Sequence, residues 1–288
     1  MYLNSPCLLF DEDLFPIKNG KYEVNLGLKK CHGEKDFFHR DKNFEFYLNE
    51  KKKNLKENPH KYYLFSENFF EIDKELTSEL SSIWNRQNPD KLISAIDLKS
   101  FGFCVQEDIA ITMKNSQGKD FVAALHLSFP NHWDPREKFM QDFNFVHSPI
   151  ANIEPLINIS DKIVNMMFEK GPYKRFAWGV STDTRLNHHP EAPLNIDINE
   201  WKGRSYREGG NLFLRIERQI IWPIKKLGAS VFTIKTYFFD IKDLVQNSQD
   251  ALDQLISAID SMNDASLNYK GLVNDRGPIL CFLKAQRK

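Results

Sequence analysis

The sequence predicts an α+β protein in which helices flank an antiparallel sheet, and three observations carry that expectation. Charged amphipathic stretches ended by Asn-Pro steps fill much of the first hundred residues. Two pairs of runs rich in β-branched and aromatic residues occupy the middle, and an amphipathic helix follows near the end. No internal repeat or low-complexity linker divides the chain. Its 288 residues therefore read as a single domain: a mostly helical part over about 1–100, a sheet core over about 101–241 and C-terminal helices over about 242–288.

Asp41 to Glu57 reads as a charged helix with Phe44, Phe46, Tyr47 and Leu55 on its apolar side. Asn58-Pro59 ends it, because proline cannot donate the next helical hydrogen bond. A second helix is predicted from about Ile72 to Asn85, before Asn88-Pro89. Phe103 to Met113 and Phe121 to Phe129 then read as a hairpin around Asn115-Ser116-Gln117-Gly118. Asp161 to Lys170 is a helix with Ser160 as its N-cap, Gly171 as its stop and Pro172 beyond. Leu212 to Ile221 and Ser230 to Ile241 form the second strand pair, and residues 248–263 a helix carrying Leu252, Leu255, Ile256, Ile259 and Met262. In the first of these strands, Leu212, Leu214, Ile216 and Ile220 share a side with Arg218, while Phe213, Arg215, Glu217 and Gln219 face the other way. A charge on an apolar face must be paired or meet an anion, so Arg218 stands out.

Lys+Arg and Asp+Glu both number 39, which gives no basic excess of the kind a nucleic-acid binder shows. The one basic cluster, Lys51-Lys52-Lys53 with Lys56 and Lys61, is expected to be a solvated helix face. No stretch approaches the ~20 apolar residues of a membrane span. The start, Met1-Tyr2-Leu3-Asn4-Ser5-Pro6, lacks the features of a secretory signal. Cys7, Cys31, Cys104 and Cys281 have no paired spacing, so reduced thiols in a cytoplasmic protein are expected. There is no glycine-rich dinucleotide or triphosphate loop and no G-x-S-x-G elbow. Isolated cysteines do not make an iron–sulfur motif, and Cys31-His32 is not a covalent heme attachment motif.

Two sets of histidines invite a chemical reading. Asn187-His188-His189-Pro190-Glu191 has metal-ligating residue types, but adjacent residues of an extended segment diverge, and a polar surface loop is the expectation there. His126 alternates with Ala124 and Ser128 and reads as a core histidine. His147 follows Phe139, Phe143, Phe145 and Val146 and precedes Ser148-Pro149-Ile150, in what reads as an extended segment. An imidazole delivered there can face an apolar slot, and its neutral nitrogen suits iron if the other nitrogen donates to a carbonyl.

Between residues 105 and 241 a succession of short blocks stands in order: Gln106-Glu107-Asp108, Phe129-Pro130-Asn131-His132-Trp133, His147-Ser148-Pro149, Arg175-Phe176-Ala177-Trp178, Arg215-Ile216-Glu217-Arg218-Gln219 and Phe232-Thr233-Ile234-Lys235-Thr236-Tyr237. The succession resembles the heme-dependent oxidative N-demethylase α-subunit family over about half the chain. The resemblance implies a PAS-like antiparallel core flanked by helices, holding non-covalent heme b. It implies an oxidoreductase that uses dioxygen to remove a methyl group from a small methylated amine such as dimethylamine, releasing formaldehyde. Electrons would come from flavin and iron–sulfur reductase subunits of a larger complex. A PAS-like heme or small-ligand sensor without catalysis is the alternative.

By the same resemblance His147 falls on the family's histidine and is the expected iron ligand. Arg175 and Arg218 fall on its arginines and are assigned to heme propionates, since guanidinium pairs with carboxylate in a fixed fork. A structural ion pair with Glu217, Glu107 or Asp108 is the competing reading of both. Tyr237 is assigned as a catalytic hydrogen-bond donor near the distal pocket, against ordinary sheet packing. The chain departs from the pattern where Ala177 replaces an asparagine, where Ile150-Ala151-Asn152 follows the His-x-Pro step, and at Ile220-Ile221-Trp222-Pro223.

Overall fold

The structure, a computed structural model, describes residues 4–287. Its centre is one antiparallel sheet of seven strands: β1 (Lys29–Lys30), β2 (Tyr63–Phe65), β3 (Asp108–Lys114), β4 (Asp120–His126), β5 (Tyr173–Ser181), β6 (Phe213–Ile224) and β7 (Ala229–Asp240). Their order across the sheet is β1-β5-β6-β7-β3-β4-β2. The α+β class predicted from the sequence is what the chain adopts.

Both predicted strand pairs form. Asn115 to Gly118 turn β3 into β4, with Gly118 at φ 78. A short 3-10 turn, Lys225–Leu227, and Gly228 at φ 58 join β6 to β7. Phe103 lies outside the first pair, because a helix at Leu98–Gly102 runs up to it. Asp97 caps that helix by accepting a hydrogen bond from Ser100 N, whose hydroxyl reaches back to Asp97 N, a reciprocal box that satisfies two terminal donors. β5 has no counterpart in the sequence reading, although it contributes nine residues beside β6.

Alternation along β6 gives the sheet two unlike faces. On one face, Leu214 and Ile216 join Phe239 and the C-terminal helices in a cluster that includes Leu252, Leu255, Ile259 and Leu283. Further along, Ile220 and Trp222 join Ile109, Ile111 and Val231 against Phe69, Leu76, Leu80, Trp84 and Phe101 from the N-terminal helices. The Gln249–Asp260 helix starts at Ser248, whose hydroxyl accepts from Ala251 N. The 3.6-residue period then turns Leu252, Leu255, Ile256 and Ile259 inward together. The Ser160–Glu169 helix covers part of the opposite face through Ile163, Val164, Met167 and Phe168, packed near Ile221 and Phe232. Ser160 is its first residue rather than its cap, which is Ile159.

The basic cluster at 51–61 is not a uniformly solvated face. Lys51 is fully buried on the Phe44–Glu57 helix, where its ammonium donates to Gly102 O (3.1 Å) and to Glu107 O and lies 3.7 Å from Asp108 Oδ1. Lys61 is also buried and pairs with Glu191 at 3.1 Å. Lys52 and Lys56 are exposed as expected. Among the described residues no helix is long and apolar enough to cross a membrane.

Candidate functional site: a cavity over one face of the sheet

The less apolar face of β6 forms the floor of a cavity of about 1340 Å3. Arg215, Glu217, Gln219 and Ile221 rise from β6, Phe232 and Ile234 from β7, Ala110 and Thr112 from β3, and Arg175 and Ala177 from β5. Val146, Ile150, Leu156, Ile163 and Met167 supply much of the apolar wall. Such a volume is large for a small-molecule site, whose usual range ends near ~1,000 Å3, so it admits a cofactor as well as a substrate.

His147 lines this cavity. It is the last residue of a short helix, Phe143–His147, and not part of an extended segment. Two carboxylates fix the start of that helix: Asp142 accepts from Phe145 N at 2.8 Å and Asp120 accepts from Phe143 N at 2.8 Å. The Phe143 ring stacks on the imidazole, with centroids 4.0 Å apart and planes at 27°. One helical turn back, Phe143 O lies 2.8 Å from His147 Nδ1. A carbonyl can only accept, so Nδ1 carries the proton and the lone pair lies on Nε2. Nε2 has no hydrogen-bond partner among the described residues. Burial pushes the imidazole down to about 4; the Phe143 bond opposes this, and the charges of Arg175 and Lys138 reinforce it. At neutral pH His147 is therefore an uncharged, oriented nitrogen donor.

Arg175 faces the same cavity because its register partner is Gln219. Its Nε is buried without a hydrogen-bond partner, and burial lowers its affinity for the proton despite the opposing charge of Glu217. The ion-pair reading of Arg175 does not describe it. Glu107 accepts from His39 N, Asp108 from Ser128 N and Phe129 N, and Glu217 from Arg215 (3.3 Å) and Gln219 (3.1 Å). Among the described residues Arg175 thus presents a cation to the cavity without an anion bonded to it.

Arg218 and Tyr237 lie elsewhere. Arg218 pairs with Lys235 and Tyr237 with Ile216 in the β6–β7 register, which puts both side chains on the sheet face away from the cavity. Arg218 donates to Asp36 O, and the Tyr237 hydroxyl is 2.5 Å from His39 Nδ1. Neither residue lines the cavity, so the assignments of Arg218 to a propionate and of Tyr237 to a distal pocket are corrected. The reason is parity: a shift of one residue along a strand exchanges its faces.

Arg215, Glu217, Lys270 and His132 are cavity residues that the sequence reading did not single out as site residues. Arg215 is clamped by Leu186 O and Phe129 O, each at 3.3 Å. His132 takes a left-handed backbone (φ 63), and its ring lies 5.0 Å from that of His188. Its surface is open to the cavity, yet the surrounding protein and the neighbouring His188 and Arg215 push it down to about 4. The Asn187-His188-His189 segment is buried rather than a surface loop. His188 Nε2 meets Asp183 at 3.0 Å, while His189 Nε2 approaches Asp134 at 3.4 Å, so the adjacent rings serve different carboxylates. Burial alone would raise Asp183, but the hydrogen bonds of His188 and Arg185 hold it well below the usual carboxylate range. His126 is a core histidine, packed so tightly on Gly102 that a Cβ there would stand 2.3 Å from the ring.

The donor set fits an iron porphyrin. A neutral imidazole with one nitrogen tied back and the other free, an apolar wall and an unpaired guanidinium are what an axial ligand, a macrocycle and a propionate require. A family model described as haem-dependent oxidative N-demethylase, alpha subunit-like, matches residues 83–280, more than half the chain. The match spans β3 to β7, His147 and Arg175.

Proposed function

We propose, on the premise that this chain belongs to the haem-dependent oxidative N-demethylase alpha-subunit-like family, that the cavity holds non-covalent haem b and is where a small methylated amine is oxidised. Family membership makes the chain oxidoreductase-like and haem-dependent. The finer reading is a dioxygen-dependent removal of methyl from a dimethylamine-like substrate, with formaldehyde as product. Its electrons come from flavin and iron–sulfur reductase subunits, since the sequence carries no motif for either cofactor. Bound haem would supply the iron at which dioxygen is activated and the N–CH3 group oxidised.

The observation that carries the reading is the free Nε2 of His147, held neutral in an apolar wall. His147 would hold the iron through that nitrogen, and the Phe143 carbonyl fixes its ring and would raise its basicity as a ligand. Arg175 would take a propionate, which would give its charge the partner it lacks among the described residues. Arg215, Glu217 and Gln219 bond to one another across the floor, so the polar groups below the substrate are already oriented. Ile150, Leu156, Ile163 and Met167 exclude water from the reacting centre.

Protein made in haem-replete cells should show a Soret band. His147→Ala should lose it, or shift it, at a cost of about 1 kcal/mol in folded stability from the lost Nδ1–Phe143 O bond, and thermal melting verifies that the variant folds. With a reductase and dimethylamine the wild-type protein should release formaldehyde. Absence of a Soret band after reconstitution with haem would overturn the reading.

A further inference from the structure

We propose that Lys270 is a nucleophile in the cavity wall that takes up small aldehydes as a reversible carbinolamine and imine. Lys270 stands just past the Asp264–Tyr269 helix, where its backbone N–H still bonds to Ser266 O at 2.9 Å. Gly271 follows at φ 68, so the chain turns away and leaves the side chain directed at β5. Beyond Lys174, β5 has no strand on its outer edge among the described residues, since β1 pairs only with Tyr173 and Lys174. Lys270 Nζ reaches that open edge and donates to Trp178 O at 2.6 Å.

Three rings surround the amine: Tyr22, Trp178 and Tyr269, with centroids 5.7, 5.9 and 5.6 Å from Nζ. Tyr22, Trp178, Tyr269 and Lys270 are all residues of the cavity lining, with Trp178 at the β5 edge where its ring turns to the Ile216 side of the sheet. A single anchoring bond holds one end of the amine, and the rings shield it in part from bulk water. The charges acting on Nζ from the sheet are Glu217 of β6 and Arg175 of β5. Burial lowers the ammonium to about 8, with Glu217 opposing and Arg175 adding to the effect. At pH 7.5 about a quarter of the amine is then neutral, against about one part in a thousand for an ordinary lysine.

The chemistry is an addition followed by a dehydration. The Nζ lone pair forms a bond to the aldehyde carbon as the C=O π bond breaks, and an N–H proton passes to the oxygen. Loss of that hydroxyl as water, with a second proton from nitrogen, gives C=N, and water addition reverses both steps. No oxidant or reductant is consumed. The demethylation proposed above would generate such an aldehyde in this cavity, and only that source rests on that reading.

Treatment of the full-length protein with limiting deuterated formaldehyde and sodium cyanoborohydride, followed by peptide mass spectrometry, tests the proposal. The hydride traps any imine as a methyl group on the lysine that formed it. At pH 7.5 Lys270 should be methylated about ten-fold faster than the exposed Lys52 and Lys162, the gain in neutral amine being partly offset by its lower basicity. Its rate should rise steeply around pH 8, whereas the exposed lysines should respond only near their higher values. Lys270→Arg should abolish the signal at this position while thermal melting verifies the fold. Labelling of Lys270 no faster than Lys52, or without inflection near pH 8, would overturn the proposal whether or not amines are oxidised. Failure of amines to yield formaldehyde, with Lys270 still labelled by added formaldehyde, would instead refute the demethylation alone.

Discussion

The two faces of the sheet differ in how far the protein itself pairs their charges. On the face away from the cavity, Lys235 is fully buried, yet it lies 2.9 Å from Asp41 and donates to His39 O and to Gln106 Oε1 at 2.9 Å. Arg218 beside it donates to Asp36 O through Nη2, although its Nη1 is buried without a partner among the described residues, and His39 meets Tyr237 at 2.5 Å. On the cavity face, Arg175 has a buried Nε without a partner and His147 a free Nε2. Charges of the first kind tie strands to the segment around residues 36–43. Those of the second kind await something the chain does not itself supply. A buried polar group left unpaired costs more than a satisfied one gains, so its retention points to a ligand.

The largest effect should come from breaking the satisfied face. Lys235→Ala leaves Asp41 without its cation and should cost about 3–5 kcal/mol of stability, as expected when one partner of a buried pair is removed. Urea unfolding measures this, and the haem content per folded molecule should be unchanged. A loss of haem at unaltered stability would mean that the two faces are not separable in this way. Within the same part of the fold, Lys51→Ala should destabilise strongly while the adjacent exposed Lys52→Ala should stay within about 0.5 kcal/mol.

Lys51 also shows how helical periodicity divides a run of like residues between core and solvent. Three consecutive lysines look like one solvated cluster. The 3.6-residue period, however, places Lys51 in line with Tyr47, Leu48 and Leu55, all buried on that helix. β5 was legible in the same sense: Phe176, Trp178 and Val180 alternate with Arg175, Ala177 and Gly179. What hid it is its half-buried character along all nine residues and its place next to the short edge strand β1. The strand pairs and the amphipathic helices were recovered because periodicity is local. His147 and Arg175 came from motif order, and the structure places both on the cavity. Arg218 and Tyr237 came from the same motifs and sit on the other face, because a motif does not say which parity of a strand faces a cavity formed by residues 15–29, 143–167 and 268–279 from distant parts of the chain.

The next effect separates the faces by pH. His39 on one face and His147 on the other are both pushed down to about 4, chiefly by burial. Above the ordinary value of 6.5 both are neutral in the folded and the unfolded chain. As pH falls through 6.5 the unfolded chain binds protons that the folded chain refuses until about 4, so stability is lost across that window. Each histidine should contribute a slope of up to about 1.4 kcal/mol per pH unit. Urea unfolding of the haem-free protein between pH 7 and 4 should show both contributions. His147→Ala should remove one and leave the other. In the wild type, haem binding should extend the His147 contribution to lower pH without steepening it, because protonation of Nε2 then also competes with iron while the slope stays limited to one proton. An unchanged slope in His147→Ala would show that His147 is not neutral in the fold.

The smallest effect tests the unpaired cation. Arg175→Met keeps much of the side-chain volume and removes a guanidinium that the protein does not bond through Nε. Its stability should therefore be unchanged or slightly raised, since an unpaired buried charge is lost, whereas Lys235→Met on the other face should still destabilise. Haem affinity should fall about ten-fold, the worth of one charge-assisted pair with a propionate in a partly wet site. Competition for haem with apomyoglobin gives that ratio directly. Replacing haem by its dimethyl ester removes the propionate charges, and wild type and Arg175→Met should then bind it equally. If the ester preserves the ten-fold difference, Arg175 acts by packing against the macrocycle, and the contrast between the two faces is one of shape rather than of charge.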